Sequence, residues 1–386
     1  MLKEACEQIT EQLIKWRREF HQYPELSFEE KHTSKLIAAF LKERGLKVTE
    51  NVFGYGIIAD LEGNFPGPTV ALRADMDALP IVEQTNLPFA SKHNGVMHAC
   101  GHDGHMAALM GAVEILSKRK DKIKGKIRFI FQPGEELTPG GAKGMIEAGA
   151  LAGVDVIYGL HLWSELPTGT FHTTLGPMMA ASDKFTIEIN GKGGHGGLPH
   201  KTVDSLVIAS QLVTLAQQIV SRKIDPIESG VLTFGKLHSG TAFNVIADKA
   251  VIEGTARSFA PQVRDQLQID LEKLAHSITD LNGADVDVRY ERGYPPLINH
   301  KNEALTFMEA AKSVFGEENT YIMPPNMAGE DFAYYLEKVP GSFCFVGAAP
   351  MDKSIFPHHH PKFDFEEKSL PIATELLCQI ALNYTS

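Results

Sequence analysis

Apolar positions along the chain follow two rhythms, one helical and one strand-like. From residue 4 to 20, Ile9, Leu13, Trp16 and Phe20 form one stripe. Leu36, Ile37, Phe40 and Leu41 form another, which stops near Gly45. Ser27-Phe28-Glu29-Glu30 heads that second helix as a capping-box pattern. Strand-like runs follow at 56–61, 69–74, 126–131 and 154–160, with helical segments between them. Such alternation predicts an α/β domain built on a mainly parallel central sheet. Three of these runs end in polar groups: Asp75-Met76-Asp77, Gln132-Pro133-Gly134-Glu135-Glu136, and His161. Open α/β sheets carry their sites beyond the carboxyl ends of the strands, so one shared site is expected there.

The texture changes around residues 176–182. Phe185, Ile187 and Ile189 alternate as a half-exposed strand, and 202–220 reads as an amphipathic helix. Strands at 231–237 and 250–257 come next, then a helix from Pro261 to about Gly283 and a strand through Val286, Val288 and Tyr290. The order β-α-β-β-α-β is the ferredoxin-like unit. The expected organisation is therefore two domains: a first domain over 1–182 and 293–386, and an α+β insert over 183–292. The returning segment holds a helix at 304–315, a polar bend at 326–331, a strand at 342–346 and a closing helix from about Leu370.

Length and composition agree with this picture. A chain of 386 residues exceeds one ordinary core. Its 43% hydrophobic and 22% charged residues describe a soluble globular protein. A formal net charge of −11 argues against nucleic acid or an anionic membrane as partner. No stretch approaches the ~18 consecutive apolar residues of a membrane span. The four cysteines, Cys6, Cys100, Cys344 and Cys378, make no disulfide framework, and a reducing cytoplasm is the expected compartment.

The densest chemistry lies in His98-Ala99-Cys100-Gly101-His102-Asp103-Gly104-His105, directly before the apolar helical run 106–116. Imidazole and thiolate are preferred donors for divalent transition metals. With the strand ends, the candidate donors become Cys100, His102, Glu135, Glu136, His161 and one of His358, His359 and His360. That number exceeds what one tetrahedral ion uses and suits two ions sharing a ligand. One of the adjacent carboxylates Glu135 and Glu136 is then left to move a proton, and the spacing alone does not say which. Asp75 and Asp77 are candidates to orient a metal-binding histidine from behind.

These blocks, with Arg73-Ala74-Asp75-Met76-Asp77-Ala78-Leu79-Pro80, Gly159-Leu160-His161, Gly194-His195-Gly196-Gly197-Leu198-Pro199-His200, Gly329-Glu330-Asp331-Phe332 and His359-His360-Pro361, resemble the M20 metallopeptidase family. The narrower likeness is to its amidohydrolase branch: N-acyl-L-amino-acid amidohydrolases, hippurate hydrolases and auxin-conjugate hydrolases. It runs from His21-Gln22-Tyr23-Pro24-Glu25-Leu26 to the final helix. The resemblance implies Cys100, His102, Glu136, His161 and His359 as ligands of two divalent ions (zinc, manganese, nickel or cobalt), with Glu135 as general base and acid. It implies an inserted ferredoxin-like lid that dimerises, and assigns His195 to the substrate carbonyl. Asn244, Arg257 and Gly329 match substrate-binding positions. Gly134 and Gly196-Gly197-Leu198 stand where relatives often carry alanine or other small and apolar residues. The implied activity is hydrolysis of N-acyl amino acids, in a homodimer or tetramer. A dipeptidase or aminoacylase-like peptidase, and a catalytically silent binding relative, are the alternatives.

Overall fold

The computed structural model describes residues 2–351 and 354–385. The chain forms two compact units, one over Met1–Met178, Ile298–Pro324 and Asp331–Ser386, the other over Met179–Leu297 and Pro325–Glu330.

The first unit is built on eight strands in the order Lys47–Val52, Gly56–Glu62, Lys124–Gln132, Phe65–Asp75, Val156–Pro167, Gly341–Ala349, Phe171–Thr173, Thr320–Ile322. The four central strands are mutually parallel, and antiparallel pairs flank them. Apolar runs such as Ile127 to Phe131 are buried on both faces, which is why they read as continuous rather than alternating. Register sets the polar edge. Asp75 lies opposite Gln132, and Arg73 opposite Gly159, so His161 reaches the same end of the sheet two residues later.

The helix His102–Leu116 packs on this sheet beneath Thr10–Gln22 and Ser369–Thr385. It is buried nearly all round, so its sequence is apolar on every side. A Cβ on Gly111 would lie 2.6 Å from Leu13 Cδ2 and 2.9 Å from Thr374 Cγ2, so the three helices meet there too closely for alanine. The helix begins four residues before the apolar run at 106, which places His102 on its first turn.

Two local expectations are corrected. The first helix is broken at Ile9 into Leu2–Gln8 and Thr10–Gln22, where the Thr10 hydroxyl donates to the Cys6 carbonyl. The capping box does not form, because its groups have tertiary partners. Ser27 Oγ donates to Asp77 Oδ2 at 2.7 Å, and Glu30, the residue before Lys31–Glu43, makes no side-chain cap.

The second unit carries a four-stranded antiparallel sheet in the order Gly230–Ser239, Lys249–Ser258, Ala181–Asn190, Asp285–Arg292. Helices Ser205–Gln218 and Pro261–Asn282 cover it around Phe185, Ile187, Leu212, Leu267 and Leu271. The first helix starts at Ser205 rather than 202 because Asp204 caps it, accepting from Leu206 N and Val207 N, and beyond Gln218 it continues as a π-helix over Ile219–Lys223. Gly283 ends the second at φ 70°. The buried Asp183 carboxylate accepts from Arg264, Tyr290 Oη and Gly293 N. Residues 325–330, expected to return to the first domain, pack with this unit, and Ala180 N donates to Ala328 O. No helix of the described residues is long and apolar enough to cross a membrane.

A fully buried network closes the polar edge of the first unit. Arg73 donates to Asp75 Oδ2 at 2.6 Å, Gln132 Oε1 at 2.9 Å and Asp331 Oδ1 at 2.8 Å. Asp331 also accepts from Gln132 Nε2 and Ala142 N. Arg73→Met should cost about 3–5 kcal/mol, because it strands buried carboxylates without a cation. The check is the urea midpoint, and an unchanged midpoint would remove this network from the supports of the fold.

Candidate metal centre

At the polar edge of the first unit, donor atoms from four chain segments converge. Those of Cys100, Glu136 and His359 lie within 4.8 Å of one another, as do those of His102, Glu135 and Glu136, and those of Cys100, His161 and His358. Cys100 Sγ is 3.4 Å from His161 Nε2, and Glu136 Oε1 is 3.3 Å from His359 Nε2 and 3.8 Å from His102 Nε2. Glu135 Oε2 lies 4.0 Å from His102 Nε2. Shared members make these groups one continuous cluster.

Hydrogen bonds sort the histidines by which nitrogen keeps a lone pair. His102 Nδ1 donates to the Asp77 carbonyl at 2.9 Å, and its buried Nε2 has no hydrogen-bond partner. His161 Nδ1 donates to Leu162 O at 2.9 Å, leaving Nε2 toward Cys100. In both, Nδ1 is anchored to a backbone carbonyl and Nε2 faces the cluster, unpartnered in His102 and against the Cys100 thiol in His161, the arrangement metal-binding histidines adopt. His105 differs: Nδ1 meets Asp75 Oδ1 at 2.6 Å, and Nε2 accepts from Leu162 N. His358 Nε2 accepts from Ser164 N at 3.3 Å. Both rings thus have Nε2 engaged by the backbone.

The two aspartates therefore part company. Asp77 holds His102 through its carbonyl, with Oδ1 3.3 Å from the same nitrogen. Asp75 holds His105, which is not among the expected ligands; it acts on His161 only through the Leu162 peptide that both rings share. His105 was visible in the sequence but carried no assigned role, since spacing cannot reveal a nitrogen already engaged.

The electrostatics call for cations. Burial alone would lower His102, but Asp75, Asp77 and Glu136 outweigh it and lift the ring to about 10. Burial, then Glu136, Glu135 and Asp75, push the Cys100 thiol well above its usual range. Burial and the His105 and His358 rings hold His161 well below the ordinary value. Without a metal, the carboxylates thus draw a proton onto His102 in the place a cation would take. A thiol, two carboxylates and imidazoles, crowded together and buried apart from the half-exposed His359, fit a divalent transition-metal centre. The Glu136 Oε1 atom is itself buried without a hydrogen-bond partner. His359 sits at φ 67°, a conformation costly for a side chain with a Cβ, and its N–H donates to Ala99 O.

The other expected site residues lie in the second unit. His195 pairs with Val245 in a two-residue ladder, next to Asn244. Gly197 N donates to His195 Nδ1 at 3.0 Å, so the ring proton sits on the exposed Nε2. Arg257 donates to Thr255 Oγ1 and the Ala256 carbonyl, and no carboxylate pairs with it among the described residues. Burial lowers its pKa. Gly329 packs against Ser182 and Tyr294, where a Cβ would come within 3.1 Å of Ser182 Cβ.

Cys100→Ser should reduce bound divalent metal on elemental analysis, since thiolate is exchanged for a poor donor. Full occupancy in that variant would take Cys100 out of the donor set.

Comparison with known proteins agrees with this geometry. The profile of Peptidase family M20/M25/M40 matches residues 71–383. The chain is 44% identical over 373 residues to N-acetyl-L-cysteine deacetylase of Bacillus subtilis, covering 97% of this chain and 88% of the relative. It is 46% identical over 299 residues to an N-acyl-L-amino acid amidohydrolase of Geobacillus stearothermophilus, covering 78% and 81%. A solved Bacillus subtilis structure described as a dinuclear metal binding peptidase from the M20 family superimposes with a TM-score of 0.85 at 36% identity, covering 98% of each chain. By profile, sequence and fold, this chain belongs to Peptidase family M20/M25/M40.

Proposed function

We propose that the chain hydrolyses the amide bond of N-acyl-L-amino acids, releasing a carboxylic acid and a free amino acid. The observation that carries this reading is the convergence of His102 Nε2 and His161 Nε2, each with Nδ1 tied to a backbone carbonyl, on Cys100, Glu136 and His359, beside the carboxylate of Glu135. Names of relatives at 44% and 46% identity supply the substrate class.

In this reading Cys100, His102, Glu136, His161 and His359 hold two divalent cations, with zinc, manganese, nickel and cobalt as candidates. Such ions supply Lewis acidity, polarising a carbonyl oxygen and making water more acidic. Glu135 takes the proton of the water that attacks the amide carbon, then delivers it to the departing nitrogen. His195 donates from Nε2 to the carbonyl oxygen as negative charge develops there. Arg257, without a carboxylate of its own, receives the carboxylate of the amino acid through its planar fork, and Asn244 and the Gly329 backbone complete the contacts. Asp77 keeps His102 in its binding tautomer, and Asp75 does the same for the strand end that carries His161, through His105.

The second unit also offers a surface for pairing two copies. Gly230–Ser239 is a terminal strand of its sheet, and Leu206, Val207, Leu237 and Phe243 are exposed on this unit. A homodimer through this unit is the reading that follows, with a tetramer as its extension. Four free cysteines fit a reducing compartment such as the cytoplasm.

The decisive experiment is a hydrolysis screen of N-acetyl, N-benzoyl and indole-acetyl amino acids with each metal returned to stripped protein. Loss of turnover on stripping and its return with metal are expected; hydrolysis by the stripped protein would end the proposal. Glu135→Gln should keep its metal and lose about 10²–10⁴ in kcat, and a fully active variant would mean another group moves the proton. His195→Ala should lose about 10²–10³ in kcat with metal retained. Mixing these two inactive variants should restore part of the activity if His195 serves the partner copy.

A further inference from the structure

Glu30 has no part in the hydrolytic reading so far, yet its carboxyl reaches the turn that carries Glu135. The residue is fully buried, and Oε1 accepts from Phe28 N at 2.9 Å and from Gly134 N at 2.8 Å. Gly134 immediately precedes Glu135 and has φ 65°. The space its Cβ would take is filled by the Phe28 ring, so this turn admits no side chain there. Phe28 is itself left-handed at φ 66°, a strained state that persists only when its surroundings enforce it.

The turn is gripped on its other side as well. Glu136 N donates to Asp77 Oδ2 at 2.9 Å, and the same oxygen accepts from Ser27 Oγ at 2.7 Å. Residues 27–30 thus act on the amides before and after Glu135, one directly through Glu30 and one through Asp77. An apolar residue at position 30 would avoid burying a carboxyl but would leave the Gly134 donor without its acceptor.

We infer that the corner Ser27–Glu30 is the positioning element for the proton-transferring carboxylate, with Glu30 as the positioning residue. This rests on the assignment of Glu135 above. The corner fixes the backbone on both sides of Glu135, so the carboxylate is held in place before any substrate arrives. Burial and the nearby Asp77 charge push the Glu30 carboxyl up to about 8, so its neutral form carries both hydrogen bonds at neutral pH. Glutamine copies that form, with the same acceptor oxygen and no charge.

The test compares Glu30→Leu and Glu30→Gln in the full-length, metal-loaded enzyme. Glu30→Leu should lose about 10²-fold in kcat, the scale of a small misplacement of a reacting group, with KM and metal content unchanged. Glu30→Gln should restore most of the activity. Amide hydrogen exchange at Gly134 in metal-free protein should quicken in the leucine variant and stay slow in the glutamine variant. A glutamine variant as poor as leucine, a leucine variant with full kcat, or unchanged Gly134 exchange would each overturn the inference. If the leucine variant does not fold, Glu30→Asp decides, because its shorter arm cannot reach Gly134; full kcat in that variant would overturn the inference. Should the wild-type protein hydrolyse no N-acyl amino acid, the proposed function fails, and the exchange measurement still judges the positioning.

Discussion

An imidazole has one proton and one lone pair to place, and what anchors the first decides where the second points. At the polar edge of the sheet two rings, His102 and His161, have Nδ1 tied to backbone carbonyls. Both therefore turn Nε2 toward Cys100 and Glu136. Neighbouring rings of the same chemistry, His105 and His358, have that nitrogen occupied by a backbone N–H. The difference between a donor and a prop here is one hydrogen bond. Everything proposed for the chemistry depends on it.

Around those rings the sheet edge concentrates negative charge. Arg73 neutralises the part behind the edge by joining Asp75 to Asp331, and Arg17 does the same for Asp103 at the helix start. In front, Glu136 and Cys100 meet histidines rather than an arginine or lysine among the described residues. The front is thus left with a surplus of anionic and lone-pair groups, and a buried surplus of this kind is stable only when a cation joins it.

Much of this was legible in the sequence, because the information was periodic or dense. Unbroken apolar runs ending in Asp75, Glu135 and His161 gave the parallel sheet and the edge on which polar groups gather. The alternation of Phe185, Ile187 and Ile189 gave the half-exposed sheet of the second unit. What stayed hidden was pairing between segments. Ser27-Phe28-Glu29-Glu30 has the letters of a capping box, yet Ser27 is taken by Asp77 and Glu30 by Gly134, both remote in sequence. Asp75 and Asp77 look equivalent two residues apart, but Asp75 meets His105 with its carboxylate while Asp77 meets His102 with its backbone carbonyl, which no side-chain pattern reveals. Residues 325–330 read as part of the returning domain because nothing local marks their hydrogen bond to Ala180.

The distance in sequence between His359 and Cys100 has a consequence for how a site built from both would form. The His359 backbone is bonded to Ala99, so the last donor is seated directly beside the loop that carries the thiol. If the proposed ligand set holds, the earlier donors emerge long before it during synthesis, and an ion meeting that nascent chain finds only part of its coordination sphere. Under the proposed ligand set, tight capture would wait until His359 has been made and seated against Ala99, which couples metal uptake to the folding of that segment.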